Sequence, residues 1–348
     1  MKRSVVAALA GVVIGAVASG GILAVRQRPV DSPVAEAAPL RGEPITVRVD
    51  LKTLPVGRPP QLSYLSGRVL KGGAGGDIVI PGQQKILQVV RYFGSALILL
   101  QNGPTGSELA RIDSSDEGFV PERVPDVRSL VGSPEQDTAA YATTAGSGST
   151  IYWVGNGTEV VRQLKRPDDW RSTVLAVVRD TVYFAAAAAA NSWTLNSWDS
   201  AHGKVTQLSS TGEPILVGDV GRLAVTRERP SGSCPAVVDL TAGRRLWQSC
   251  EYLPVGFAFD GQTILGTSTR DGQSAVALDA RTGELKRRWT GGWFRTAIAE
   301  DDDHLLFFVD TGVRTSGAII RCSIDTGHCE LAASIAPPRA GLRLLAAG

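Results

Sequence analysis

The chain has 348 residues, of which 43% are hydrophobic and 20% charged, a balance that excludes an intrinsically disordered protein and leaves room for one large all-β domain. Its formal charge is +2, from 36 Lys and Arg against 34 Asp and Glu. Lys2, Arg3, Arg26 and Arg28 supply four of those cations, so the rest of the chain carries 32 basic against 34 acidic groups, a net of −2. With no basic block and no basic-aromatic interleave, that remainder excludes a nucleic-acid partner.

Residues 4–25 contain no charge and are rich in Ala, Val and Gly. About 20 apolar residues span a bilayer, whereas secretory h-regions stop at roughly 7–15, so residues 4–25 read as a transmembrane signal anchor. Residues 1–3 form the short cytoplasmic end, and Lys2 and Arg3 orient the rest outward by the positive-inside pattern. A cleaved signal with secretion is the alternative, given the A-x-A patterns Ala16-Val-Ala18 and Ala35-Glu-Ala37. The spacing Gly11, Gly15, Ser19 matches small-residue helix packing, but Ala/Gly-rich export segments contain it by chance.

Residues 26–60 hold seven prolines (29, 33, 39, 44, 55, 59, 60) and read as an extended extracytoplasmic linker that adds little to any core. Alternation of apolar and polar residues over 45–51 allows a stray strand there.

From residue 61 to 348 the pattern is periodic. One turn series runs Asp113, Asn156, Asp199, Asp239, Asp279 and Asp325, at intervals of 43, 43, 40, 40 and 46 residues. An Asp opening such a turn can accept from backbone two residues on, and the Gly at 203, 243, 283 and 327 supplies a positive φ. A second series, Gly94, Asp137, Asp180, Asp219, Asp260 and Asp303, precedes the first by 19 to 22 residues. Two registered turns per repeat of this length predict four-stranded antiparallel blades and hence an all-β, β-propeller fold. Residues 62–80 and 341–347 are strand-like leftovers, each too short for a blade. Joined, they give a seventh blade that closes the ring with both ends of the chain; six blades with extra outer strands is the alternative. The alanine run 185–190 favours helix by propensity, but it follows Thr181-Val-Tyr-Phe184 in a second-strand slot and is read as strand.

Ala-Val-Ala-Leu-Asp-Ala-Arg-Thr-Gly-Glu-Leu (275–285) resembles the blade repeat of quinoprotein-type propellers, which ends in an Asp-x-x-Thr-Gly turn and a docking Trp. Trp247 stands at that family's offset, eight after Asp239, while Trp289 stands ten after Asp279. The earlier repeats are closer to WD-repeat blades. The resemblance implies the architecture over 61–348 and does not fix a substrate.

Cys234 and Cys250 are symmetric about Ala242 in a hairpin turn, and Cys322 and Cys329 flank Asp325-Thr-Gly327. Both pairs are expected to be cross-strand disulfides formed in an oxidising compartment, a metal site being the competing reading.

Chemistry-bearing motifs are few. The three histidines, His202, His304 and His328, fall in hairpin turns, are placed in different blades, and read as solvated. Glu300-Asp-Asp-Asp303 could recruit Ca²⁺, but reads equally as a charged hairpin tip. The seven tryptophans fit inter-blade packing, with Trp170 and Trp293 the ones expected to be partly exposed. No nucleophile elbow, phosphate loop or zinc-binding helix motif occurs. The expectation is a membrane-anchored extracytoplasmic propeller that binds a protein or glycan, without cofactor and without catalysis. The alternative is a propeller enzyme: a quinone-dependent dehydrogenase, which would need a cofactor clamp, a catalytic Asp and Ca²⁺, or a hydrolase or lyase.

Overall fold

In the computed structural model the described residues are 45–112, 123–146, 148–155, 160–189, 192–210, 212–218, 221–227, 234–259, 261–270, 272–310, 317–333 and 343–344. The chain divides into Met1–Gly42 and Glu43–Gly348. The expected membrane segment 4–25 lies outside the described residues, among which no helix is long and apolar enough to cross a membrane.

The chain alternates short apolar runs with turns, and the result among the described residues is twenty-nine strands. After β1 (Ile45–Arg48), the closing blade takes β2 (Tyr64–Ser66), β3 (Val69–Lys71) and β4 (Ile78–Val79). Blade II is β5 (Ile86–Tyr92), β6 (Ser95–Asn102), β7 (Gly106–Ile112) and β8 (Arg123–Pro125). Blade III is β9 (Val127–Gly132), β10 (Thr138–Ala145), β11 (Gly148–Gly155) and β12 (Val160–Arg166). Blade IV is β13 (Arg171–Val178), β14 (Thr181–Ala189), β15 (Ser192–Asp199) and β16 (Lys204–Ser209). Blade V is β17 (Glu213–Gly218), β18 (Leu223–Arg227), β19 (Pro235–Asp239) and β20 (Arg244–Gln248). Blade VI is β21 (Tyr252–Phe257), β22 (Thr263–Ser268), β23 (Ser274–Asp279) and β24 (Leu285–Thr290). Blade VII is β25 (Trp293–Ala299), β26 (His304–Asp310), β27 (Gly317–Ser323) and β28 (Cys329–Ala333).

The last strand, β29 (Arg343–Leu344), pairs with β2 and completes the closing blade in the order β29-β2-β3-β4. The ring therefore has seven blades, and the six-blade alternative falls. First strands of successive blades pack on one another, which makes them the innermost. Each first strand from β5 to β25 carries a β-bulge, leaving Leu87, Arg128, Leu175, Ile215, Val255 and Arg295 without a cross-strand partner. A bulge adds local twist, and its repetition bends every innermost strand alike. Residues 185–189 of the alanine run lie in β14 as strand, with Ala185, Ala186 and Ala187 buried and Ala188 and Ala189 exposed.

The core sits between blades. Blades VI and VII share Trp289, Phe294 and Phe307; blades III and IV share Trp153, Val174 and Phe184; the closing blade and blade II share Leu70, Ile78 and Ile98. Two tryptophans also tie neighbours by hydrogen bonds: Trp153 Nε1 donates to the Arg179 carbonyl (2.8 Å) and Trp247 Nε1 to that of Ala280 (2.9 Å). Trp170 is 42% exposed, as expected of a residue at a repeat boundary.

The segment read as a linker is the main correction. From Ile45 onward it is a strap belonging to the same unit as the ring. β1 lies parallel on β24 as a fifth strand, pairing Ile45 with Arg287 through Arg48 with Thr290. Val49 is buried, its amide donates to the Thr290 carbonyl (2.7 Å), and Val47, Leu51 and Leu54 pack on the blade VI–VII core. Farther on, Gly57 N donates to Leu331 O (2.9 Å) and Leu331 N to Pro55 O (2.8 Å), so the strap also covers β28. Gly291 permits the crossing, because a Cβ there would stand 2.2 Å from the Val49 carbonyl.

Both disulfides form as paired in the sequence reading, Cys234 with Cys250 and Cys322 with Cys329, and no described cysteine is free. Each links the third and fourth strands of a blade across their hairpin. Closing loops of this size is worth roughly 2–3 kcal/mol apiece in the chain-entropy view.

Two stability results follow. Removing residues 43–58 strips the strap from β24 and β28, takes the buried Val49 out of the blade VI–VII core, and is expected to lower Tm by about 3–12 °C, on the ~1.5–3 kcal/mol of burying one such side chain and the usual ~2–4 °C per kcal/mol at this size; an unchanged circular-dichroism melt would refute the strap's role. A chain ending at Pro338 lacks β29, leaves an open strand edge on β2, and is expected to aggregate or melt far below the parent, read by light scattering on heating.

Candidate functional site

In each blade the turn joining first and second strands and the turn joining third and fourth strands lie on the same face of the ring, because strands alternate in direction. That face gathers most of the ionisable turn residues.

Asp199, Asp239 and Asp279 act as the sequence predicts. Their Oδ1 atoms accept from the amides of Ala201 and His202, of Thr241 and Ala242, and of Arg281 and Thr282, at 2.9–3.1 Å, and the following Gly203, Gly243 and Gly283 have φ of 63–74°. Asp113 and Asn156 lie outside the described residues, as do Asp219 and Asp260 of the other series. Asp325 sits in the last turn but does not hold it. Its place is taken by Ser323, whose Oγ accepts from Thr326 N (3.0 Å) and whose carbonyl accepts from Gly327 N (2.9 Å). The Asp325 amide instead donates to Asp303 Oδ1 (3.0 Å). The interval of 46 residues was therefore a misaligned 44, from 279 to 323.

The histidines also need correction. His304 and His328 belong to one blade, the seventh, and line a single cleft of about 730 Å³ with Arg58, Asp303, Arg321, Ser323, Thr326 and Glu330. His304 is held by Asp301, which accepts from its amide (2.7 Å) and lies 2.9 Å from its Nδ1; its Nε2 is 3.7 Å from Asp303. Ser323 Oγ donates to Asp303 Oδ1 (3.1 Å). Nor is Glu300-Asp-Asp-Asp303 simply a solvated tip. Glu300 is buried and pairs with Arg321, which is 2% exposed. Among the described residues no group of three acidic, His or Cys side chains is placed to hold a metal ion, and within this run Glu300, Asp301 and Asp303 bond to the strap, to Arg321 and to their own turns.

Arg321 forms the cleft floor. Its Nε and Nη2 bond both oxygens of Glu300, its Nη1 bonds Glu330 and the Arg58 carbonyl (2.9 Å), and its Nη2 also bonds the Pro59 carbonyl (3.0 Å). Burial alone would lower the Arg321 pKa, but the bonds and charges of Glu300 and Glu330 outweigh it and hold it above its ordinary value. Arg58 closes the cleft from the strap, 3.3 Å from Asp301.

A second cleft, about 500 Å³, lies between blades III and IV and is lined by Glu135, Arg179, Asp180, Tyr183, Asp199 and His202. His202 Nδ1 is 2.8 Å from Asp199 Oδ2, so the two blades repeat one device, an Asp holding the His three residues later. Burial raises the Tyr183 pKa, and Arg162 holds Asp180 (2.7 Å) while stacking on Trp153. Both clefts present cations, carboxylates, hydroxyls and imidazoles at a solvent-open surface, a chemistry for polar recognition. Nothing in single-residue spacing marks them, because each cleft is assembled from separate turns.

No family model matches the chain, and no curated protein matches it. Among solved structures, it is similar to protein lmo1340 of Listeria monocytogenes EGD-e, with 9% identity over 74% of this chain and 86% of that one and a TM-score of 0.49. It is also similar to apo prolyl oligopeptidase B of Galerina marginata, with 11% identity, a TM-score of 0.53, and 73% of this chain against 43% of that one. At 11% identity the likeness to the oligopeptidase is one of fold alone.

The turn carboxylates set an acid limit. The His202 side chain and amide lower the Asp199 pKa, and the Ala242 amide leads in lowering that of Asp239. For Asp279 and Asp301 burial pushes upward, but the turn amides and, at Asp301, His304 overcome it. Groups with depressed native pKa stabilise above their unfolded value, about 3.9, and lose that contribution as pH falls through the native one. The urea midpoint is thus expected to hold from pH 7 to 5 and fall below about pH 4. Asp279→Ala should cost about 1 kcal/mol at pH 7 and reduce the acid slope; a slope unchanged by that substitution would count against the assignment.

Proposed function

We propose that this chain is a membrane-tethered propeller held outside the cytoplasm, which binds a polar protein or glycan partner on its hairpin-turn face and does no chemistry on it. The observation that carries the reading is the commitment of the cleft's reactive groups. His304 is held by Asp301, Ser323 by Asp303, and Arg321 by Glu300 and Glu330, each within blade VII. Such groups are fixed donors and acceptors, suited to recognition. The two disulfides support an oxidising compartment, and the uncharged run 4–25 with Lys2 and Arg3 before it supports an anchor with the ring outside. The likeness of residues 275–285 to quinoprotein-type blades is absorbed by packing and turn formation, since Asp279 holds its own turn.

The reading makes two measurable demands. Protease added to spheroplasts should digest the ring without lysis, and full protection would overturn the topology. On an array of glycans and surface peptides, binding by the purified protein should fall at least tenfold in Arg58→Ala/His328→Ala and stay unchanged in Arg128→Ala, on a first strand. Turnover of any bound compound, or a visible absorption band from a retained quinone, would return the enzyme reading.

A further inference from the structure

Where the closing blade meets blade II, a charged group is buried without a matching partner. Arg91, in β5, is 3% exposed. Its neighbours Val90 and Tyr92 pack toward blade III, and Val89 toward the closing blade. The guanidinium makes one hydrogen bond, from Nε to Ser63 Oγ at 3.3 Å. Both terminal nitrogens, Nη1 and Nη2, are buried and bond nothing. Burial lowers the Arg91 pKa, and the charge of Asp77 offsets only part of that. Asp77 itself is turned to solvent and paired with Lys71 at 3.1 Å.

Leaving a guanidinium buried with no counter-charge costs several kcal/mol, and proteins avoid it by pairing. At Arg321 the same side chain meets two carboxylates and two carbonyls. At Arg91 the described residues supply none of these to Nη1 or Nη2, although those two atoms form the edge that binds an oxyanion bidentately.

The cover over this edge is equally distinctive. The turn between β3 and β4 reads Gly72-Gly-Ala-Gly-Gly76. A Cβ on Gly75, whose φ is 114°, would stand 3.1 Å from Arg91 Nη1, so only glycine lets the backbone lie over the guanidinium. One residue on, a Cβ at Gly76 would meet nothing within 4 Å, so that side of the turn opens to solvent. The turn is anchored at its near end: Gly73 N donates to Gln61 O (2.8 Å) and Ala74 N to Gln136 Oε1 (3.1 Å), a residue of blade III.

We infer that Arg91 and Ser63, beneath the glycine turn 72–76, form a binding site for a small oxyanion, a carboxylate or phosphate group held end-on by Nη1 and Nη2. The site lies on the hairpin-turn face at the seam where the ring closes, so an occupant neutralises the buried charge and bonds blade II to the closing blade. It does not depend on the function proposed above.

The test uses the purified full chain in detergent, with radiolabelled phosphate and with acetate as separate probes at constant ionic strength. Saturable binding near one per chain is expected for phosphate, acetate or both, and the probe that binds identifies the group. Tm should rise with that probe as a ligand bound only by the folded state requires. Arg91→Met keeps the apolar stem and should abolish both effects. Asp77→Asn removes the one carboxylate whose charge reaches Arg91 and should tighten binding about two- to fivefold, the scale of an exposed pair. If Arg91→Met fails to fold, the Asp77→Asn shift decides. Absence of saturable binding to the parent, binding unchanged in Arg91→Met, or affinity unchanged in Asp77→Asn would each overturn the site. Binding that emerges only in Asp77→Asn would also overturn it, by showing that Asp77 turns inward to neutralise Arg91.

Discussion

The five N–H groups of Arg321 meet five acceptors: both oxygens of Glu300, one of Glu330, and the carbonyls of Arg58 and Pro59. Glu300 directly follows the first strand of blade VII, Arg321 lies in its third, Glu330 in its fourth, and the carbonyls belong to the strap. One side chain therefore fixes the spacing of a blade and the path of the segment laid over it. Glu300 also accepts from the Gln61 amide (2.6 Å), just before the closing blade begins. A buried ion pair of this kind often contributes little net stability against an apolar substitute. Its value here is positional: it adds a charged anchor at Arg58 and Pro59 to the backbone bonds that Pro55 and Gly57 make with Leu331.

That network explains why the strap was misread as a linker. Seven prolines between 29 and 60 argue against a sheet strand, because proline donates nothing to a ladder. Proline still accepts, and on an outer edge acceptance is enough. Pro55 takes the Leu331 amide and Pro59 takes the Arg321 guanidinium. The alternation over 45–51 was the legible trace of β1, but nothing local shows that its partner is β24, some 240 residues away.

What the sequence made legible was what repeats. Asp199, Asp239 and Asp279 each satisfy their own turn's amides, so a local pattern is sufficient to announce them, and two such series in register announce the blades. Disulfide pairing followed from hairpin symmetry, which holds as long as the turn is centred correctly. Repetition is lost from view where another residue does the same job. Ser323 caps the last turn as Asp279 caps its own, and a search for Asp slides two residues to Asp325. A site assembled across turns leaves no such trace: His304 and His328 converge because β26, β27 and β28 are neighbours, a fact of pairing that residue spacing does not contain. The bulges at Leu87, Arg128, Leu175, Ile215, Val255 and Arg295 were equally hidden, since residues so different in chemistry share only a backbone position.

The connectivity imposes an order on assembly. The strap precedes every blade in the chain, yet its partners are β24 and β28, in the last two blades. The closing blade likewise begins with β2 and waits for β29, at the far end of the chain. Pairings of such long sequence separation bear their loop-closure entropy before any contact returns it. Blades II to V can each form from adjacent strands, but the strap has no surface to dock on until blades VI and VII exist, and the closing blade, which packs on blade II, stays incomplete until β29 arrives. Arg321 belongs to the strap's docking, because two of its five acceptors are carbonyls of the strap. Strap docking and ring closure thus both depend on the last part of the chain, the strap on β24 and β28 and the closing blade on β29.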